Sequence, residues 1–178
     1  MGFEANALAL AARFATPDEA KRILPQLTRN QHGKFQQLAI RGAFAYGQGE
    51  KAMALVAAHN WYKYLAPEWK GLRTVQECCG LGTRGWGDEA HPDACLAGVF
   101  TEGLLGVRPL EPGFRAFVVE PQLTSSVTSV SGSVPTPSGP VKVSVRDGHV
   151  TVTGNGGTGT IRWRGRTATV PPNGTVTL

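Results

Sequence analysis

Apolar residues recur along the first two thirds of this chain at helical spacing and along the last third at the two-residue spacing of strands. Phe35, Leu38, Ala39, Gly42, Ala43 and Tyr46 line one side of a helix, as do Met53, Val56, Ala57, Trp61 and Leu65. The pattern predicts helices near residues 3–15, 17–29, 35–46, 49–65 and 93–106. The second has a clear start signal. Thr16 offers an N-cap oxygen, Pro17 sits where a helix needs no N–H, and Asp18 and Glu19 face the positive end of the dipole. The short segment Tyr46-Gly47-Gln48-Gly49-Glu50 predicts an antiparallel hairpin of the two helices around it.

From residue 115 onward the alternation is that of strands: 116–120, 141–146, 149–153, 160–164, 167–170 and 175–178. Asp147-Gly148 is a strong two-residue hairpin signal. The run Gly154-Asn155-Gly156-Gly157-Thr158-Gly159 lacks the Lys-Ser/Thr and the helix of a phosphate loop, so it too is expected to be a hairpin turn. About seven short strands with turns every 8–12 residues predict a β-sandwich. Residues 66–92 fit neither pattern. Loops of this length are usually functional or disordered, and the interleaved Trp69, Thr74, Glu77, Trp86, Asp88, Glu89 and His91 favour the first.

Composition sharpens the division. Residues 1–120 hold 19 of the 20 alanines, whereas residues 121–178 are rich in Val, Thr, Ser and Gly. A β module of about 60 residues buries only roughly 60% of its unfolded surface and is expected to lean on the helical part. Net charge is +5; the first 120 residues carry 13 basic and 12 acidic groups, the rest 5 and 1. The basic excess of Lys142, Arg146, Arg162, Arg164 and Arg166 is scattered on strands and turns with only Trp163 among it. That pattern reads as solvated edge protection, so no nucleic-acid partner is expected. Cys78, Cys79 and Cys95 form no metal-ligand spacing and no even disulfide framework. No metal, no cofactor and a reducing, cytoplasmic setting are expected, with Cys95 a small buried residue. The Ala5–Ala12 run follows Glu4 without a basic lead-in, and no stretch is long enough to span a bilayer, so no membrane role is expected. The chain opens in mid-helix, which suggests that a front end of something longer is missing.

Several blocks occur in order: the Asn6-Ala7-Leu8-Ala9-Leu10 helix, Gly71-Leu72-Arg73-Thr74-Val75-Gln76-Glu77, His91, Leu105-Gly106-Val107-Arg108-Pro109 and Val134-Pro135-Thr136-Pro137. With these, the chain resembles the C-terminal end of bacterial α-L-rhamnosidases (glycoside hydrolase family 78). Their catalytic domain is an (α/α)6 barrel of six helical hairpins followed by a β-sandwich. The resemblance implies an α plus β chain of two domains. Residues 1–108 would be an incomplete six-hairpin barrel of about five helices, and 109–178 a small antiparallel β-sandwich.

The resemblance also implies chemistry. Inverting glycosidases use one carboxylic acid to protonate the leaving oxygen and one carboxylate to activate water, typically about 6.5–9.5 Å apart. Glu77 matches the family's general base and His91 the histidine that contacts the sugar. Trp69 and Trp86, with Trp61, would supply an apolar platform for a deoxy-sugar methyl group. Gln76 and Cys78-Cys79 stand where the family often has Trp beside the glutamate and a longer loop. The general acid belongs to earlier hairpins, so the chain by itself is expected to be inactive, and the faces of an unclosed barrel are expected to self-associate. The expected partner is a rhamnose-containing saccharide or glycoside.

Other readings of the same residues stay open. The rival reading of Glu77 is a solvated loop acid, and that of His91 a capping or packing residue before the helix that Pro92 opens. The tryptophans read as core, and Asp88-Glu89 as an acidic lead-in to that helix. A chain whose helices only support a saccharide-binding sandwich would depend on exposed residues such as Trp163. An inactive partial reading frame is the third reading.

Overall fold

The computed structural model describes residues 2–28, 33–58 and 96–178 of the chain. They fall into two compact units, Met1–Val99 and Phe100–Leu178. In the first unit the helices are α1 (Phe3–Ala11), α2 (Pro17–Ile23), α3 (Gly33–Ala45) and α4 (Gly49–Ala58), with a 3₁₀ turn at Leu24–Gln26. A fifth, α5 (Leu96–Glu102), runs across the division between the units.

The Thr16 start signal acts as expected. The Glu19 N–H donates to Thr16 Oγ1 at 3.3 Å, and the Thr16 N–H donates back to Glu19 Oε2 at 2.8 Å. Two otherwise orphaned N–H groups are thereby satisfied. α1 stops after Ala12, where Arg13 turns left-handed (φ 59°) and the Phe14 N–H donates back to the Ala9 carbonyl. The turn between α3 and α4 closes through Gly47 at φ 71°.

Small residues set the packing of this unit. Ala7 and Leu10 of α1, Ala39, Ile40, Ala43 and Phe44 of α3, and Ala52 and Leu55 of α4 are buried. A Cβ on Gly42 would lie 2.6 Å from the Leu10 Cβ, so α1 and α3 approach too closely there for any side chain. Two expected faces are corrected. α4 buries Ala52 and Leu55, while Met53 and Val56 are half-buried and Ala57 is exposed. α3 buries Gln36 and Gln37 beside Ile40 and Phe44. Gln36 is fully buried because its amide donates to the Leu55 carbonyl at 2.7 Å, near the C-terminal end of α4 where carbonyls lack helical partners.

The second unit has eight strands: β1 (Val107–Pro109), β2 (Ala116–Val119), β3 (Val130–Val134), β4 (Val141–Arg146), β5 (His149–Thr153), β6 (Thr158–Trp163), β7 (Arg166–Val170) and β8 (Thr175–Thr177). They form two sheets, ordered β1-β2-β6-β7 and β3-β4-β5-β8. Every pairing is antiparallel except β2 with β6, which run parallel. A parallel neighbour requires a long crossover, here the whole excursion through β3, β4 and β5 in the other sheet.

One core cluster joins residues of both sheets. Val107, Phe117, Val119, Ile161, Trp163 and Val170 come from the first, and Val141, Val143, Val145, Val150 and Val152 from the second. β4 alternates strictly, its valines inward and Lys142, Ser144 and Arg146 outward. This is the face-to-face arrangement of a sandwich.

The 154–159 run is not a hairpin turn. It leads from β5 in one sheet to β6 in the other, and Asn155 pins it. The Asn155 amide donates to Thr136 Oγ1 and its carbonyl oxygen accepts the Gly157 N–H at 2.7 Å. The glycines are required by proximity: a Cβ on Gly157 would lie 2.2 Å from the Phe114 carbonyl oxygen, and one on Gly159 2.5 Å from the Phe117 ring. Gly106 is constrained twice over, by φ 70° and by the Glu120 backbone 2.1 Å from where a Cβ would sit. Among the described residues no helix is long and apolar enough to cross a membrane.

Candidate functional site

Glu77, His91, Trp69 and Trp86, together with Trp61, lie outside the described residues. The second saccharide candidate, Trp163, is described and does not fit its expected role. It is 7% exposed, belongs to the sandwich core and donates its indole N–H to the Gly148 carbonyl at 2.9 Å. Its place in the alternation of β6 sends it inward with Ile161, so it offers no platform to a sugar.

Among the described residues of the helical unit a cavity of about 440 Å³ is formed by α2, the 3₁₀ turn and the α3–α4 turn. Pro17, Ala20, Leu24, Pro25 and Tyr46 give it apolar walls, with Gln48, Lys21 and Lys51 at the polar positions. Its chemistry is limited. Lys21 is held 3.1 Å from Asp18, and the Tyr46 hydroxyl donates to the Ala15 carbonyl. The wall has neither the carboxylate pair of a glycosidase nor a nucleophile beside a base. Among the described residues no group of three or more His, Cys, Asp or Glu could hold a metal ion.

Ionic contacts in the second unit cluster around β1 and β2. Arg108 pairs with Glu120 across that hairpin, with both side chains partly shielded from water. Arg115 lies 3.6 Å from Glu111, on the surface. Glu19 is an acid whose titration is clearly displaced. Hydrogen bonds from the Thr16 N–H first, then from its hydroxyl, hold it below the ordinary value of 4.5, with Arg22 adding a smaller pull. This is a helix cap and not a catalytic acid, since the carboxylate accepts bonds only within its own turn.

What sequence reasoning missed is a grouping. Of the basic residues read as scattered, Arg146, Arg162, Arg164 and Arg166 belong to the adjoining ends of the β4–β5 and β6–β7 hairpins. Arg164-Gly165 connects strands in the same two-residue register as Asp147-Gly148, with Trp163 opposite Arg166 as Arg146 is opposite His149. The equal spacing of two X-Gly turns was the available signal.

Residues 106–155 match the family of bacterial alpha-L-rhamnosidase C-terminal domains. This stretch holds both the Gly106–Pro109 and the Val134–Pro137 blocks. Over 45 residues the chain is 53% identical to an alpha-L-rhamnosidase of Alteromonas sp. (strain LOR), an alignment spanning 25% of this chain and 5% of that protein. The fold is similar to that of the Streptomyces avermitilis α-L-rhamnosidase complexed with L-rhamnose (TM-score 0.76, 16% identity, 99% of this chain and 21% of that one). It is similar also to the native enzyme of Aspergillus terreus (TM-score 0.75, 15% identity, 99% and 23%). The chain thus spans about a fifth of the length of these solved enzymes. In fold over 99% of its length, and in sequence across residues 106–155, this chain resembles the C-terminal part of bacterial α-L-rhamnosidases.

Proposed function

We propose that the chain serves as the C-terminal part of an α-L-rhamnosidase-like inverting glycoside hydrolase that releases terminal L-rhamnose. The observation that carries this reading is the match of residues 106–155 to the family's C-terminal domain, preceded in the same chain by Gly71–Glu77 and His91 in order. In this reading Glu77 is the general base. It takes a proton from a water on the face of the sugar opposite the leaving group, so attack and departure occur on opposite sides and the anomeric configuration inverts. The proton for the leaving oxygen comes from a carboxylic acid not identified among these residues. His91 hydrogen-bonds a sugar hydroxyl, and Trp69 and Trp86 offer apolar surface to the C5 methyl group. The ligand is a rhamnose-containing saccharide; the solved Streptomyces avermitilis relative was crystallised with L-rhamnose.

The test is hydrolysis of an aryl α-L-rhamnoside by the native polypeptide that carries these residues, with the product anomer followed by NMR. Glu77→Gln is expected to lower the rate about 10²–10⁴-fold, as loss of a general base does. An unchanged rate, or a product with retained configuration, overturns the assignment. The burial of Trp163 weighs against a sandwich that binds saccharide through that residue.

A further inference from the structure

Two hairpin turns remote in sequence meet at one end of the sandwich. The Trp163 indole N–H donates to the Gly148 carbonyl at 2.9 Å, which ties the β6–β7 turn to the β4–β5 turn. The Arg164 guanidinium lies over the Trp163 ring, 5.0 Å from its centroid, and a Cβ on Gly148 would meet Arg164 Nη1 at 3.4 Å. Around this junction stand Arg146, His149, Arg162, Arg164 and Arg166, all exposed, and one acid, Asp147. Arg108 and Arg115 of the same unit have carboxylate partners. Arg146, Arg162, Arg164 and Arg166 form no ion pair among the described residues, and Glu120, one residue past the end of β2, is taken by Arg108.

Edge protection does not account for this arrangement. Charges on outer strands blunt sheet edges, but of these residues only Arg166 lies on an edge strand, β7. Arg146, His149 and Arg162 are on the interior strands β4, β5 and β6, and Arg164 is in a turn. The backbone makes the same point. Arg164 and Gly165 are both left-handed (φ 49° and 77°), as are Asp147 and Gly148 (φ 51° and 80°). Such turns favour Asn or Asp before Gly because the short polar side chain tolerates positive φ. An arginine there is conformationally costly, and strain held at a surface position points to use.

We propose that this end of the sandwich, with the Asp147–Gly148 and Arg164–Gly165 turns at its centre and Arg146, His149 and Arg166 beside them, is a docking surface for an acidic polysaccharide bearing carboxylates. Guanidinium forks match carboxylates in shape as well as charge. Single-stranded nucleic acid would need open aromatic faces for stacking; the aromatic residue at the junction, Trp163, is buried and covered by Arg164. On the outer face of the second sheet Ser144, exposed and two residues before Arg146, presents its hydroxyl beside the Arg146–His149 pair, a group that hydrogen-bonds sugars. The choice of a saccharide among polyanions rests on the proposed function; the anion-binding surface itself does not.

Affinity electrophoresis of the whole 178-residue chain through gels containing polygalacturonate, neutral dextran or duplex DNA tests this. Retardation is expected with polygalacturonate and not with dextran. Replacing Arg146→Ser, Arg164→Asn and Arg166→Ser together should weaken it roughly tenfold or more, since one lost charged hydrogen bond already costs about that factor. Replacing Arg13, Lys21 and Arg22 of the helical unit by Ser removes the same charge and should leave retardation near that of the parent. Arg164→Asn alone separates folding from binding, because it relieves the turn and should raise thermal stability while lowering affinity. Absence of retardation, equal losses in the two triple variants, or stronger retardation by DNA overturns the proposal. The readout is independent of Glu77: binding that persists while rhamnoside hydrolysis fails the Glu77→Gln test sinks the proposed function and leaves this surface standing.

Discussion

The helical unit and the sandwich reach close packing by opposite means. In the helices five alanines, Ala7, Ala20, Ala39, Ala43 and Ala52, are buried among larger residues such as Leu10 and Phe44, and Gly42 brings α1 against α3. At that crossing the closeness of the backbones replaces side-chain bulk. In the sandwich the backbones are held apart by the sheets, and the space between is filled by Phe117, Ile161, Trp163 and the eight valines of the shared core. Glycine marks close approach in both. In the helices it admits a neighbouring helix, whereas in the sandwich Gly157 admits a carbonyl and Gly159 an aromatic ring. The difference teaches where each unit is vulnerable: the sandwich to removing volume, the helices to adding it.

The contrast can be broken most forcefully at Phe117, which is fully buried between the sheets. Phe117→Ala should destabilise the sandwich by about 3–5 kcal/mol, since lost transfer energy and an unfilled cavity add. Amide exchange should rise first in β2 and β6, and full protection there would contradict the account. A smaller effect is expected from adding a single methyl at Gly42. Despite alanine's higher helix propensity, Gly42→Ala should cost about 1–3 kcal/mol because the Leu10 Cβ and the Ala11 N–H stand in the way. Chemical denaturation of that variant would sharpen the comparison, and a neutral or stabilising result would show that the helices can part without loss.

The smallest effect belongs to the α2 cap. Thr16→Ala removes an N-cap oxygen and should destabilise the helix by about 1 kcal/mol. The pH dependence follows from Glu19, whose carboxyl is held below its ordinary value by Thr16. A depressed folded value means stability that is present above pH 4.5 and lost as pH falls through the folded value. Exchange at α2 measured from pH 6 down to about pH 3 should show that loss in the parent and a flatter profile in Glu19→Gln, which has no carboxyl to protonate. Parallel profiles would remove the cap from the explanation.

Local signals read well in both units. Thr16-Pro17-Asp18-Glu19 and Asp147-Gly148 act within a few residues of themselves, so their outcomes follow from the chain alone. β1 and β3 were harder to see. The first hides in a Pro-containing block, and the second, Val130-Ser-Gly-Ser-Val, reads as loop until Gly132 is placed beside Leu105, where a Cβ would lie 2.6 Å from a leucine methyl. Gln36 reads as a polar interruption of α3 and is buried because α4 supplies the carbonyl it bonds. The candidates Glu77, His91, Trp69 and Trp86 rest on resemblance to a family and lie outside the described residues; no periodicity or spacing singled them out.

Composition and periodicity were enough to divide this chain into an alanine-rich helical part and a valine- and threonine-rich sheet part. Helix propensity and strand alternation are properties of neighbouring residues. Which strands share a sheet was decided elsewhere. β5 and β6 adjoin in sequence and lie in different sheets, while β2 and β6 are parallel partners across some forty intervening residues. The meeting of the Asp147–Gly148 and Arg164–Gly165 turns is likewise tertiary, made by one indole hydrogen bond. Such pairings depend on burying a common core and on satisfying polar groups between distant segments, and neither requirement leaves a periodic trace in the chain.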